Sequence, residues 1–106
     1  MVGGYDPNMN DPIVDFLVRE AMQQAKIEKV LLFGSRARGD ARERSDYDLA
    51  VFAPKMSRAD WVSWKDFLIN TAPTLLALDL VLIEPDMSAT LRDNILKEGR
   101  VIYAKS

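Results

Sequence analysis

Three short apolar runs, separated by segments with helical spacing, constrain the fold of this 106-residue chain more than any other feature. The runs are Lys29–Phe33, Tyr47–Phe52 and Leu75–Glu84. Each has the length of a strand, and the longest is broken by Asp79 and is too short to cross a membrane. Because helical segments alternate with these runs, the sequence predicts an α/β domain with a mixed β-sheet and helices packed on it.

Capping residues predict where the first helices begin and end. Asp11 before Pro12 is typical of a helix N-cap with proline in the first turn, and this helix is expected to end near Lys26. Ser57 is expected to cap another helix that ends before Pro73. The apolar stripe of that helix is expected to pack into the core, and it consists of Trp61, Trp64 and Leu68.

The C-terminal part of the chain predicts one more helix and one more strand. Ser88 begins the helix, and Gly99 stands where a left-handed C′ glycine would end it. Arg100–Ala104 is expected to be a final edge strand. Residues 1–10 are expected to form a flexible N-terminal leader, and residues 11–106 a single domain.

Composition excludes several classes of chemistry. Because the chain has no histidine and no cysteine, Ser-His-Asp and Cys-His mechanisms and all His- or Cys-ligated metals are excluded. The net charge of −2 argues against a general nucleic-acid-binding surface. The N-terminus lacks the pattern of a signal peptide, so a cytoplasmic protein without a membrane segment is expected.

Gly34 and Ser35 come directly after the first apolar run. A glycine at this place lets the backbone approach a ligand closely, and a following helical turn with the Ser35 hydroxyl would make a phosphate seat. The alternative is an ordinary exit from the strand, with Ser35 as a helix cap.

Asp46 and Asp48 flank Tyr47 at the start of the second run. Alternate side chains of a strand point to the same face, so the two carboxylates are expected on one side and Tyr47 on the other. Two neighbouring carboxylates repel each other and favour a shared hard cation such as Mg²⁺. The alternative is a solvated strand start, or Asp46 capping the preceding turn.

Asp79 lies within the third run, on the opposite face from its leucines. A buried carboxylate without a partner would cost several kcal/mol, on the order of what a lost ion pair costs. Asp79 therefore requires an arginine partner, an exposed edge or a metal. Together, Asp46, Asp48 and Asp79 could hold two Mg²⁺ ions roughly 3.5–4 Å apart, the arrangement that serves phosphoryl displacement.

The string from Gly34 to Val51, GSRARGDARERSDYDLAV, resembles the signature of the DNA polymerase β-like nucleotidyltransferase superfamily. It is similar to the minimal nucleotidyltransferases, small prokaryotic proteins paired with HEPN-domain toxins. The resemblance implies a polymerase β palm-like fold, with ATP as co-substrate. It implies that Asp46, Asp48 and Asp79 bind two Mg²⁺ ions and catalyse transfer. It also implies that Gly34, Ser35 and Arg36 hold the phosphates, with Arg38 as a weaker candidate.

The same resemblance implies a role as an antitoxin that attaches AMP to a HEPN ribonuclease toxin and silences it, with the toxin as a possible hetero-oligomeric partner. Two alternatives stay open. The protein could neutralise a toxin by direct binding without catalysis, or it could transfer a nucleotide to a small molecule. The short chain offers no second lobe for a small acceptor, which disfavours the last alternative.

Overall fold

The computed structural model describes residues 11–39 and 46–105. Within these residues a four-stranded sheet is flanked by helices, in the chain order α1 (Pro12–Gln23), β1 (Lys29–Phe33), α2 (Ser35–Arg38), β2 (Tyr47–Phe52), α3 (Arg58–Thr71), β3 (Leu78–Leu82), α4 (Ala89–Glu98) and β4 (Arg100–Ala104). The predicted leader, residues 1–10, lies outside the described part of the chain. So does the charged segment 40–45.

The strand order in the sheet is β3-β2-β1-β4. β1 is antiparallel to both β2 and β4, whereas β2 and β3 run parallel. The predicted mixed sheet is therefore confirmed, as is the edge position of β4. The parallel pair is joined by the crossover helix α3, as parallel neighbours require.

Two apolar layers hold the helices to the sheet. On one face α1 and α3 pack against alternate strand residues, including Leu32, Leu49 and Leu80. On the other face α4 contributes Ile95 to a smaller cluster that includes Phe33. The predicted core stripe of α3 is confirmed, because all three of its members are buried: Trp61, Trp64 and Leu68.

The cap predictions for three helices are confirmed by hydrogen bonds. The Asp11 carboxylate accepts from the Ile13 N–H at 2.8 Å. The Ser57 and Ser88 hydroxyls each accept at 3.1 Å from the backbone N–H three residues later. Side-chain caps of this kind satisfy N–H groups that have no partner within the helix.

Two predicted boundaries were wrong. The first helix ends at Gln23, before Lys26, because Gln24 takes an extended conformation with φ −104° and ψ 104°. The third strand is Leu78–Leu82, shorter than the predicted Leu75–Glu84. A turn occupies its expected start, where the Thr74 hydroxyl accepts from the Leu76 N–H at 2.9 Å.

Gly99 has a different role from the one predicted. Its φ of −66° and ψ of 134° are extended, so it is not a left-handed C′ residue. Close packing at this position explains why the residue is glycine. A Cβ there would collide with the Ile95 carbonyl oxygen and lie 3.0 Å from Leu31 Cδ2. No helix in the described part of the chain is long and apolar enough to cross a membrane.

Replacing Leu68 with alanine is expected to lower the free energy of unfolding by about 2–5 kcal/mol, because the fully buried side chain would leave a cavity beneath the sheet. Leu96→Ala is the matched control, since Leu96 is 74% exposed in α4. Urea unfolding of both variants measures the difference. Equal losses for the two leucines would contradict the assigned core.

Candidate active site

The parallel pairing of β2 and β3 places two carboxylates side by side. Asp48 is the register partner of Asp79 in this pair. Neighbouring strands lie about 4.8 Å apart, so the two side chains leave the same face of the sheet at close range. This face carries α4, and the opposite face carries α1 and α3.

An open cleft of about 540 Å³ lies in front of these carboxylates. Its floor is formed by the sheet and by the start of the turn after β1, and one wall comes from α4. The described residues that line it are Phe33, Gly34, Arg38, Asp48, Asp79, Val81, Leu91, Asn94 and Glu98.

Asp79 resolves one of the alternatives left open by the sequence. It is exposed, and β3 is an edge strand of the described sheet. Among the described residues no arginine or lysine forms an ion pair with it. The burial cost that the apolar surroundings predicted therefore does not arise, and the carboxylate opens into the cleft beside Asp48.

The Asp48 carboxyl is electrostatically crowded. Partial burial raises its pKa, the charges of Asp79 and Asp46 raise it further, and Arg38 opposes the shift. Asp46 itself precedes β2, is exposed, and is absent from the residues that line the cleft. The structure thus brings Asp48 and Asp79 together, with Asp46 near enough for its charge to act on Asp48.

Gly34 is positioned against Asp48. Its φ is +74°, and an added Cβ would collide with the Asp48 Oδ2 atom. The Gly34 carbonyl accepts from the backbone N–H groups of Ala37 and Arg38, both at 3.1 Å, so the chain turns sharply into α2. Only glycine tolerates this combination of a positive φ and a close side chain. Ser35 is the first residue of α2, directly beside this corner.

Tyr47 connects β2 to the start of α1, which packs on the face of the sheet opposite to the cleft. It is 3% exposed, and its hydroxyl donates to the Asp11 carboxylate at 2.6 Å. Burial raises the pKa of the Tyr47 phenol well above its ordinary value, and the bond to Asp11 adds to the effect. Tyr47 is therefore a neutral structural residue, and the predicted inward orientation is confirmed.

Arg36 and Arg38 diverge from the one turn of α2. The Arg36 guanidinium lies 3.9 Å from the centroid of the Tyr47 ring, in a cation–π contact, and Arg36 is absent from the lining of the cleft. Arg38 lines the cleft and donates to Glu98 at 2.9 Å. The phosphate contact predicted for Arg36 stays a prediction, and the less favoured Arg38 has the more suitable position.

Sequence reasoning missed the contribution of α4. Asn94 and Glu98 line the cleft, although they lie far along the chain from the acidic motif. The helical spacing of Leu91, Asn94 and Glu98 could have shown that they share a face. It could not have shown that this face meets the cleft.

Known proteins resemble this chain in sequence and in fold. The sequence model described as polymerase beta, nucleotidyltransferase matches residues 17–106. The chain belongs to this nucleotidyltransferase family. A protein of Methanocaldococcus jannaschii, named as a candidate protein adenylyltransferase, is 31% identical over 90 residues, which cover 76% of this chain and 82% of that protein. The family resemblance of the Gly-Ser and Asp-x-Asp motif is confirmed.

Solved structures agree in fold. A toxin–antitoxin crystal structure with AMP-PNP has a TM-score of 0.66 at 22% identity, covering 92% of this chain and 75% of that one. A tri-AMPylated HEPN toxin from Shewanella oneidensis in complex with its MNT antitoxin gives 0.63 at 18% identity, covering 88% and 71%. At these identities the likeness establishes the nucleotidyltransferase fold.

Replacing Gly34 with alanine is expected to destabilise the protein more than replacing Gly39. Both glycines have a positive φ, +74° and +84°, so each substitution carries a backbone cost of about 1–2 kcal/mol. Only the Cβ at position 34 meets another atom, the Asp48 carboxylate. Urea unfolding compares the two variants, and an equal loss would contradict the close approach of Gly34 to Asp48.

Asp48→Asn is expected to raise the free energy of unfolding at neutral pH in metal-free buffer. A raised pKa means that the folded chain binds the proton more tightly than the unfolded chain, whose carboxyl titrates near 3.8. The charged form therefore weakens the fold as the pH rises from about that value through the raised pKa, and asparagine removes the penalty. Asp66→Asn, on the exposed face of α3, is the control and should change little.

Proposed function

We propose that this protein is a magnesium-dependent nucleotidyltransferase that moves AMP from ATP onto a partner protein, with residues 11–106 as one catalytic domain. The observation that carries the proposal is the placement of Asp48 beside Asp79, at the mouth of a cleft bounded by Gly34. Family membership and the relative named as a protein adenylyltransferase support it.

Asp48 and Asp79 suit a magnesium ion that is also bound by the phosphates of the substrate. Among the described residues no three acidic side chains converge closely enough to hold an ion by themselves. Mg²⁺ seldom needs such a cage, because it retains water and binds through one or two carboxylates plus substrate phosphates. The crowding that raises the Asp48 pKa would be relieved by a cation. We propose Asp48 and Asp79 as ligands, with Asp46 completing the set once the triphosphate is present.

The reaction that this site would serve is an in-line displacement at the α-phosphorus of ATP. The acceptor hydroxyl oxygen forms a bond to that phosphorus, the bond to the bridging oxygen of the β-phosphate breaks, and pyrophosphate leaves. Asp79, exposed at the sheet edge, is positioned to accept the hydroxyl proton. Bound magnesium would neutralise charge on the phosphates. The corner at Gly34 and Ser35 would seat the outgoing phosphates.

For the acceptor we propose a HEPN-domain toxin, bound as a hetero-oligomer in the cytoplasm, where ATP is available. The related folds include an MNT antitoxin in complex with an AMPylated HEPN toxin. The cleft supports an acceptor presented by another protein, because it is open and the described residues form no second lobe over it. A tyrosine on the toxin is the acceptor that the family resemblance implies.

The test is transfer of label from [α-³²P]ATP to the product of the neighbouring gene in the presence of Mg²⁺. Asp48→Asn and Asp79→Asn are each expected to lower the rate on the order of 100-fold or more, because each removes charge stabilisation at the reacting phosphate. Asp66→Asn is the matched control and should transfer at the wild-type rate. EDTA should abolish transfer.

The alternatives give different outcomes in the same assay. An antitoxin that works by binding alone would leave the toxin unlabelled, and Asp48→Asn would still silence it. An enzyme that modifies a small molecule would release pyrophosphate without the toxin, once a suitable acceptor such as an aminoglycoside is added. Either result would contradict the proposal.

A further inference from the structure

An ion pair joins two walls of the cleft. Arg38 at the end of α2 donates from Nη1 to Glu98 Oε2 at the end of α4, at 2.9 Å, although the residues are 60 positions apart in the chain. Both residues line the cleft that contains Asp48 and Asp79. The contact therefore belongs to the wall of the site, and it connects that wall to the C-terminal helix.

Arg38 has a distinct charge environment. It is the single cationic side chain among the described residues that line the cleft, where it faces Asp48, Asp79 and Glu98. Its charge already reaches the first of these, because it lowers the pKa of Asp48 against the rise that burial causes. A triphosphate entering the cleft would therefore have this guanidinium as its one cationic partner among the described lining residues.

Glu98 is the more firmly placed partner of the pair. Its side chain is 26% exposed, against 45% for Arg38. The next residue, Gly99, packs so closely on Leu31 and the Ile95 carbonyl that it cannot carry a side chain. Arg38, by contrast, is the last residue of a single helical turn and is followed by Gly39, which has a φ of +84°. The geometry therefore makes Glu98 the anchor and Arg38 the anchored group.

We infer that Glu98 is a positioning residue, which holds the Arg38 guanidinium at the wall of the cleft so that it is ready to bind the triphosphate. The inference rests on the proposed function, because it requires a nucleotide in this cleft. A long side chain fixed in advance loses less conformational freedom when its ligand arrives. The pair thus strengthens nucleotide binding even though Glu98 adds negative charge to the site.

Whether nucleotide binding becomes weaker or tighter when Glu98 is removed distinguishes a positioning role from simple charge repulsion. Removing a carboxylate from the cleft would by charge alone tighten the binding of an anionic nucleotide. Loss of positioning would weaken it. Glu98→Ala is expected to weaken binding of Mg²⁺–AMP-PNP by about three- to tenfold. The KM for ATP should rise by a similar factor, with little change in kcat.

The experiment measures the Kd of Mg²⁺–AMP-PNP by isothermal titration calorimetry for Glu98→Ala, Arg38→Ala and the double variant. The double variant should bind no more weakly than Arg38→Ala, because the positioning role of Glu98 is exerted through Arg38 and only the direct charge effect of Glu98 then remains. Glu84→Ala is the matched control, since Glu84 forms an exposed pair with Arg58 at 3.4 Å outside the cleft lining. It should bind as the wild type does. Tighter or unchanged binding by Glu98→Ala, or additive losses in the double variant, would overturn the inference.

A second readout needs no nucleotide. ¹⁵N relaxation of the Arg38 Nε–H should report an ordered side chain in the wild type and in Glu84→Ala, and a mobile one in Glu98→Ala. Equal mobility of the Arg38 side chain in all three proteins would overturn the role of Glu98, but it would not contradict the proposed transfer of AMP. A wild type that binds AMP-PNP without transferring AMP would overturn the proposed function alone. Absence of AMP-PNP binding would overturn both.

Discussion

The close approach of the Gly34 backbone to the Asp48 carboxylate is the constraint on which the rest of the site depends. A side chain at position 34 would occupy the space of the Asp48 Oδ2 atom. Because glycine has no side chain, β1 can end immediately beside β2, and the chain can turn at once into α2. That turn sends Arg36 toward Tyr47 and Arg38 toward Glu98. The glycine at position 34 therefore permits the turn from which Arg36 and Arg38 extend, with the Asp48 carboxylate close beside it.

The parallel pairing of β2 with β3 supplies the other half of the site. The crossover through α3 brings β3 alongside β2 in the parallel direction, and in the observed register Asp48 is opposite Asp79. The buried tryptophans of this helix pack on the face of the sheet opposite to Asp48 and Asp79. Core packing by α3 thus lies on one face of the sheet and the two carboxylates meet on the other, a separation common in α/β folds.

Local patterns were sufficient to predict most elements. β1 and β2 have the predicted bounds, since each is a short apolar run between polar turns. The start of β3 was wrong because leucines continued beyond the strand, and Leu75 is fully exposed in a turn that the side chain of Thr74 stabilises. Apolar character alone could not distinguish the turn from the strand.

Contacts between residues far apart in the chain could not be predicted from local sequence patterns. Asp48 and Asp79 could be selected because carboxylates in apolar strands require an explanation, whereas Glu98 in a polar helix end requires none. Local patterns likewise offered no means of knowing that Arg38, and not Arg36, lines the cleft, and the phosphate contact of Arg36 stays a prediction. Arg36 contacts Tyr47 and Arg38 pairs with Glu98, and no local pattern of the sequence predicts either contact.

The hydrogen bond between Tyr47 and Asp11 has a consequence for how the chain assembles. One Asp11 oxygen caps the first helix, and the other accepts from a tyrosine 36 residues later. During synthesis the helix emerges well before its partner, and domains begin to form from the N-terminal side. The first helix can therefore reach its final attachment only after β2 has left the ribosome, so this contact couples the start of the domain to a strand in the middle of the chain.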